Sequence, residues 1–334
     1  MKYSSLFLLG ALALLAACGP KNKSEDPVVS QKYIHKYGYA VSKEEWEERH
    51  FPGQVVTTLR NGVTITATYE GGMLHGPTTH TYPNSQTVEA FYLYNQGDLV
   101  KQINYDVRGM PVREQVQLSP SRLSITLWYH DGTPMSIEEY AHEELLEGQY
   151  FSVNNEVEAR VEKGNGLRLR RDHQGTLLSR DEFDSGYMVK RESFYASGSP
   201  ECVTHYSKNK LNGEKRTFSP SGEPIAIEEW VDGQLHGKAT YFRNGSKYLE
   251  VSYLYGSRNG LEVHYIDGGD ILQEISWEND KKHGPSIFYV DGQPNTQWYY
   301  DGKEVSERTF QEQLRLDEMV SHISPTVQIE GGLR

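Results

Sequence analysis

The sequence is poor in the materials of a thick hydrophobic core. Of its 334 residues only 37% are hydrophobic, and just two are cysteine, which excludes a disulfide-stapled scaffold. Cation-rich surfaces are missing as well. The formal net charge is −12, and the two basic spots, Arg168-Leu169-Arg170-Arg171 and Lys281-Lys282, are too short to form a stripe. Phosphate backbones and anionic lipid surfaces are thereby excluded as partners. There is no nucleophile elbow and no glycine-rich phosphate loop. What the chain has in quantity is tyrosine, 23 residues, and glycine, 31. Tyrosine joins a large apolar body to a polar tip and suits a thin sheet half open to water. The glycines recur at turn positions.

From Tyr206 to Tyr300 one pattern is written four times. Asn212-Gly213, His236-Gly237, Asn259-Gly260 and His283-Gly284 follow one another at intervals of 24, 23 and 24 residues. Gly222, Gly245, Gly268 and Gly292 keep the same period. Phe218, Phe242, Tyr265 and Tyr289 sit five residues beyond the first glycine, and Trp230, Tyr253 and Trp277 close the units. Such self-similarity marks stacked supersecondary units. Each unit reads as two antiparallel strands. The first runs from the first glycine to its aromatic, as in Gly260–Tyr265. A tight turn follows at Asn244-Gly245, Asp267-Gly268 or Asp291-Gly292, then a second strand such as Tyr248–Tyr253 or Ile271–Trp277. A longer second turn, Val231–Gly237, tucks Leu235 against the sheet. Alternation puts Leu249, Val251 and Tyr253 on one face and Tyr248, Glu250 and Ser252 on the other, with Leu272 and Glu274 continuing the second set. The series reaches back to His75-Gly76, with weaker units between Tyr94 and Phe183, for about ten units in all.

Residues 1–17 read as a signal peptide, with Lys2 before an apolar Leu6–Leu15 that is too short to span a bilayer. Its end, Leu15-Ala16-Ala17-Cys18, resembles the lipobox of bacterial lipoproteins, whose cysteine is acylated and becomes the new N-terminus. By the sorting rule of that class, Gly19 in place of Asp implies the outer membrane of the cell envelope. Residues 18–41 read as a flexible tether. Residues 42–53 hold a short helix opened by the Ser42/Glu45 capping box, and 54–302 the repeats. Residues 303–334 hold a helix with Ser306 as N-cap and Phe310, Leu314 and Met319 on one face, then a frayed tail. Both helices are expected to cover open strand edges. The fold class is all-β: an elongated antiparallel β-hairpin repeat array, one curled sheet with short capping helices at both ends. Cys202 falls at the repeat position of Ala226 and Leu249 and reads as a small buried hydrophobe.

Written as Tyr-x-x-Gly-x-Leu-His/Asn-Gly-x4-Tyr/Phe-x3-Gly, the units resemble the MORN repeat, in particular its bacterial variant in the antitoxin-like YwqK family. Gly233, Leu235, His236, Gly237 and Phe242 carry the resemblance, then Trp277, His283, Gly284 and Tyr289. It implies a hairpin array that serves as a scaffold or interaction module. An antitoxin-like, toxin-binding role is the alternative it brings.

His75, His236 and His283 occupy equivalent turns, and adjacent two-stranded units lie roughly 10 Å apart, too far for one metal ion. The pairs Glu138-Glu139, Glu143-Glu144 and Glu228-Glu229 face opposite sides of their strands and read as solvated edge charge. No enzyme activity, cofactor or metal is therefore expected. Gly76, Gly213, Gly237, Gly260, Gly284, Trp230, Tyr253 and Trp277 read as structural, the aromatics packing on one another from unit to unit. Tyr248, Glu250, Leu272 and Glu274 form the candidate surface for a protein partner. A glycan stacked on Trp128, Trp230, Trp277 or Trp298 is the second possibility, the membrane is reached through the lipid on Cys18, and nucleic acid is not a partner. Replacing Cys18→Ala should leave the chain uncleaved and free of lipid. Palmitate labelling that persists in this variant would remove the lipoprotein reading.

Overall fold

Short alternating runs, each broken by Gly, Asn or Asp, leave this chain little choice but short strands joined by tight turns. The computed structural model describes residues 28–323; residues 1–17, expected to be a signal peptide, Cys18 and the C-terminal tail lie outside the described residues. The chain divides into two compact units, Met1–Val116 and Gln117–Arg334. The strands that begin in the first are β1 (Val28–His35), β2 (Ala40–Val41), β3 (Gly53–Leu59), β4 (Thr64–Glu70), β5 (Met73–Thr81), β6 (Val88–Asn95), β7 (Asp98–Tyr105) and β8 (Pro111–Ser119), with helix α1 (Lys43–Arg49). The second holds β9 (Arg122–Trp128), β10 (Pro134–Ala141), β11 (Glu144–Phe151), β12 (Val157–Glu162), β13 (Asn165–Arg171), β14 (Leu177–Asp184), β15 (Tyr187–Phe194), β16 (Pro200–Ser207) and β17 (Lys210–Phe218). It continues through β18 (Pro224–Val231), β19 (Gln234–Arg243), β20 (Ser246–Leu254), β21 (Ser257–Tyr265), β22 (Ile271–Glu278), β23 (Lys281–Val290), β24 (Gln293–Tyr300) and β25 (Lys303–Val305) to α2 (Glu307–Ile323). All pairing is antiparallel. In the first unit β1 joins β2 and β3, and each strand from β3 joins the next. In the second the ladder follows chain order from β9 to β25.

The turns are tighter and the strands longer than the sequence pattern suggests. Asp232-Gly233 is a two-residue turn with φ of 50° and 84°, as are Asn244-Gly245 and Asp291-Gly292. So β19 begins at Gln234, and the Leu-His-Gly segment lies inside a strand rather than in a long turn. Asp267-Gly268 instead belongs to a wider turn closed by Ile266 N–H to Asp270 C=O at 3.0 Å. Gly76, Gly213, Gly237, Gly260 and Gly284 all sit within strands at φ of 93° to 105°. The register slips opposite them, for example between Val251 and Tyr253 where β20 meets β21. Each is therefore the centre of a bulge that only glycine adopts without strain.

These bulges tie neighbouring units together. The bulge turns two acceptors outward, and the next turn on the same side docks onto them. The second residue of that turn donates its N–H to the carbonyl just before the His/Asn position: Gly97 to Leu74, Gly233 to Leu211, Gly256 to Leu235, Asp280 to Arg258 and Gly302 to Lys282, at 2.8 to 3.0 Å. The first residue donates to the side chain before the glycine, Gln96 N–H to His75 Nδ1 at 3.3 Å and Asp301 N–H to His283 Nδ1 at 3.4 Å. The weak middle units use the same device with different residues. Lys163 N–H donates to Glu147, and Ser185 N–H to Asn165, each at 3.1 Å. What looks eroded in sequence keeps these hydrogen bonds.

Three expectations change at the ends. Residues 28–41, assigned to the tether, contain β1 and β2, because β1 supplies the pairing partner that β3 requires. Ser42 does cap α1, accepting Glu45 N–H at 3.2 Å. But α1 lies on the sheet face, not along its edge: Trp46 is buried beside Tyr33 at 5.6 Å and Tyr69 at 6.1 Å. Likewise Phe310 of α2 is buried against Trp298 at 5.1 Å and His283 at 5.3 Å, on the face of β23 and β24. Each helix is held by one aromatic plug. Gly260→Ala should destabilise the second unit by about 1–3 kcal/mol, because φ is disallowed. The added Cβ would also stand 3.1 Å from Ser252 Cβ. A denaturation midpoint equal to wild type would contradict the bulge role.

Candidate functional site

In a single-layer ladder the register assigns every residue to one of two faces. Glu228, Ala239, Val251, Glu262, Ile275 and Ser286 pair across successive strands and share the first face. Ala239, Val251, Glu262, Ile275 and Ser286 are buried. Ile227, Thr240, Glu250, Val263, Glu274 and Ile287 share the second, where only Val263 of the six is buried. Glu250 and Glu274 thus lie two strands apart in one row of the more open face.

Both carboxylates are already engaged. Glu250 accepts the Tyr265 hydroxyl at 2.6 Å and faces Lys247 at 3.3 Å and Lys238 at 3.9 Å. Burial pushes its carboxyl up, but the Tyr265 hydroxyl and the two ammonium groups outweigh burial and hold it below the usual carboxylate range. Glu274 accepts the Tyr289 hydroxyl at 3.1 Å. Tyr248 is half-buried beneath the Arg243 guanidinium, 4.6 Å from its ring. Leu272 is the open member of the set, 47% exposed.

The closing aromatics work differently from the expected unit-to-unit stack. Trp230, Tyr253 and Trp277 stand directly opposite the bulge glycines Gly213, Gly237 and Gly260, while the space a side chain would take at those glycines is bounded by His205, Glu229 and Ser252. Trp230 carries Lys215 over its ring at 5.7 Å, and Trp277 carries Arg258 at 3.5 Å. All three are half-buried, as are Trp128 and Trp298. His75, His236 and His283 lie on β5, β19 and β23, with His236 against the Tyr255 ring at 4.5 Å. Cys202 is half-buried, its Sγ 3.3 Å from Thr204 Oγ1.

The greatest departure from sequence expectation lies between β9 and β14. The pairing of β12 with β13 covers only two positions, Val161 with Gly166 and Glu162 with Asn165. Beyond them the strands splay and the sheet folds over, so the first face closes on itself. Leu145, Tyr150 and Val161 form a buried cluster there, with Tyr140, Ala159, Leu169 and Phe183 packed around it. Beside this cluster sits an ionic network. Arg168 donates to Asp181 at 2.8 and 2.9 Å, and Arg191 donates to the same carboxylate at 2.8 and 2.9 Å. Glu138 accepts Tyr140 at 2.7 Å and Tyr150 at 2.9 Å, and lies 3.9 Å from Arg168. Arg168 stacks 4.8 Å above Phe183. Glu138 is therefore buried rather than a solvated edge charge, and Arg168 is no surface cation. Burial, then the Glu138 charge, pushes the Tyr140 and Tyr150 hydroxyls far up. Burial also pushes the Asp181 carboxyl up, but Arg191 and Arg168 more than compensate and hold it below its ordinary 3.8. The sequence carries one signal for this network. Asp181 stands in the repeat slot filled by Val251 and Ile275, where a carboxylate needs partners.

An open recess of about 420 Å³ in the first unit is lined by Lys36, Gln54, Thr68, Glu70 and His75, among others. Glu70 and His75 stand 3.5 Å apart in it. Among the described residues no group of three or more His, Cys, Asp or Glu side chains is placed to hold a metal ion, and no helix is long and apolar enough to cross a membrane.

The family model of the MORN repeat matches residues 229–247, which run from the end of β18 through β19 into β20. The chain thus carries a MORN repeat within its most regular stretch. A search of curated proteins returns no match. Among solved structures, similarity extends to TcdB2-TccC3 without its hypervariable C-terminal region, at 10% identity and a TM-score of 0.18, over 83% of this chain and 19% of that one. BamB from Moraxella catarrhalis matches at 11% identity and a TM-score of 0.14, over 75% of this chain and 82% of that one. Scores this low carry no argument about shared architecture.

Asp181 exposes no surface, so Asp181→Ala, which leaves two arginines side by side, should cost about 3–5 kcal/mol. A carboxylate whose folded pKa lies below 3.8 contributes stability that is present above that value and lost as the pH falls through it. Asp181→Asn should therefore flatten the acid limb of the stability profile. Parallel acid limbs in wild type and Asp181→Asn would show that this group does not carry the linkage.

Proposed function

We propose that this chain is a lipid-anchored, non-enzymatic scaffold of the bacterial envelope whose repeat ladder presents one face to a protein partner. The observation that carries the reading is a recurring exposed apolar slot on the second face. Leu272, Ile225 and Leu178 occupy the same repeat position and are 47%, 41% and 44% exposed. Tyr248 fills the intervening slot and Glu201 the remaining one. A large apolar side chain repeated on an open face is an interaction signal rather than a packing one. The acids of the adjoining row, Glu250 and Glu274, are held in place by tyrosine hydroxyls and add orientation. Anchoring rests on Leu15-Ala16-Ala17-Cys18, and the interaction class on the MORN repeat at 229–247.

Tyr248→Ala combined with Leu272→Ala removes apolar surface from this face while sparing the bulge glycines and the turns; both residues sit at register shifts of their strands, where the backbone does not require their side chains. Its melting temperature should stay within about 3 °C of wild type, while capture of envelope partners by the lipidated protein falls sharply. Trp277→Ala serves as the contrast, because it removes a half-buried ring and the aromatic face under the Arg258 guanidinium and should lower the melting temperature. If the double variant keeps full capture, or unfolds while Trp277→Ala stays folded and loses its partner, the faces have been assigned the wrong way round.

A further inference from the structure

The fold-over in the second unit brings two histidines together that are 43 residues apart in the sequence. His130 lies in the turn between β9 and β10, and His173 in the turn between β13 and β14. A flat sheet would hold these turns roughly 20 Å apart, four strand spacings. Here the ring centroids are 4.8 Å apart and the planes 34° apart. Both residues are exposed. We propose that His130 and His173 bind one borderline first-row divalent cation, of the class of Cu²⁺, Ni²⁺ and Zn²⁺, at the mouth of the fold-over.

Four features support the site. First, the spacing fits. Imidazole nitrogens about 2.0–2.1 Å from one ion, in adjacent coordination positions, place their ring centroids roughly 4.5–5 Å apart. Second, the tautomer of His173 is set. Its Nδ1 lies 3.3 Å from the Trp128 carbonyl, which can only accept, so Nδ1 holds the proton and Nε2 keeps its lone pair for a metal. This is the outer-shell support that ligating histidines characteristically have. Third, the turns are stiff. Asp131 accepts the Thr133 N–H at 2.9 Å, and Asp172 accepts the Gln174 and Thr176 N–H groups at 2.9 and 2.8 Å. Fourth, the local charge is favourable. Asp131 and Asp172 adjoin the two histidines in the chain, and the neighbouring cation Arg171 is neutralised by Glu158 at 2.8 and 3.0 Å. With two protein ligands the remaining positions belong to water, so binding is modest and exchangeable. Imidazole suits this class of ion, with Cu²⁺ at the top of the affinity order. A bound ion would join two turns of the folded-over sheet and hold it shut.

The test is a Cu²⁺ titration of the untagged mature chain, followed by calorimetry and by electron paramagnetic resonance. The expected result is one equivalent bound, with hyperfine structure from two imidazole nitrogens and a melting temperature that rises with the metal. His130→Ala and His173→Ala should each weaken binding about a hundredfold, because either one removes the chelate, and each should melt as wild type does without metal. His75→Ala, in the first unit, should bind as wild type. Binding that survives unchanged in either of the first two variants, or that falls equally in His75→Ala, would overturn the site.

Discussion

Each two-stranded unit is tied to the next by hydrogen bonds that lie outside the strand ladder, and the repeat motif exists to make them. A glycine at φ near +100° bulges the strand and turns a carbonyl and a polar side chain toward the following turn. That turn opens with a residue in the left-handed region, and its amides donate to both acceptors. The glycine cannot be replaced, because any Cβ is strained there. The side chain before it needs only to accept, so His75, Glu147, Asn165 and His283 all serve. The closing aromatic stands opposite the bare glycine on the next strand. Glycine, acceptor and aromatic form one device, repeated along the chain.

A thin sheet with so few aliphatic residues gains little from burial alone. The interlock compensates by satisfying backbone groups at the turn edge, and the cation–aromatic contacts of Lys215 and Arg258 shield the rings on the face. Where the sheet folds over, between β9 and β14, this economy changes. Two arginines, two carboxylates and two tyrosines meet at a small apolar cluster, and nearly every polar group there has a partner. A network of this kind adds little net stability compared with apolar packing. It does specify a single arrangement, since any slip of one strand would leave a charge unpaired.

The proposed interaction surface follows from which face remains open. The first face is buried along its central row and closes on itself at the fold-over. The second face keeps exposed aliphatic side chains at one recurring slot, bordered by acids whose orientation the tyrosines set. Tyr248, Glu250, Leu272 and Glu274 could be placed on that face from alternation alone, because period-two side chains leave no other choice. The ion pairs that occupy Glu250, and the guanidinium over Tyr248, could not, because Lys238 and Arg243 come from the neighbouring strand and Lys247 reaches Glu250 across a register shift in its own strand that alternation does not predict.

The sequence by itself determined the repeat, its period, the antiparallel hairpins and the acceptor-glycine pair at each bulge, because these depend on local backbone conformation. Positive φ calls for glycine and tight turns call for Asn or Asp, and both leave marks within a few residues. The middle units keep the acceptor but vary the rest: Glu147 and Asn165 still accept from the next turn, while Gly148 is not among the positive-φ glycines. Only the tertiary structure decided that α1 and α2 lie on faces rather than edges, and that cations lie over the Trp230 and Trp277 rings. It alone decided that Glu138, Arg168, Asp181 and Arg191 would meet, and that His130 and His173 would become neighbours. Each of these rests on how far a twisted sheet folds between strands that share no local pattern. That angle is set by the splaying of β12 from β13, a property of the packed ladder and not of any one stretch of chain.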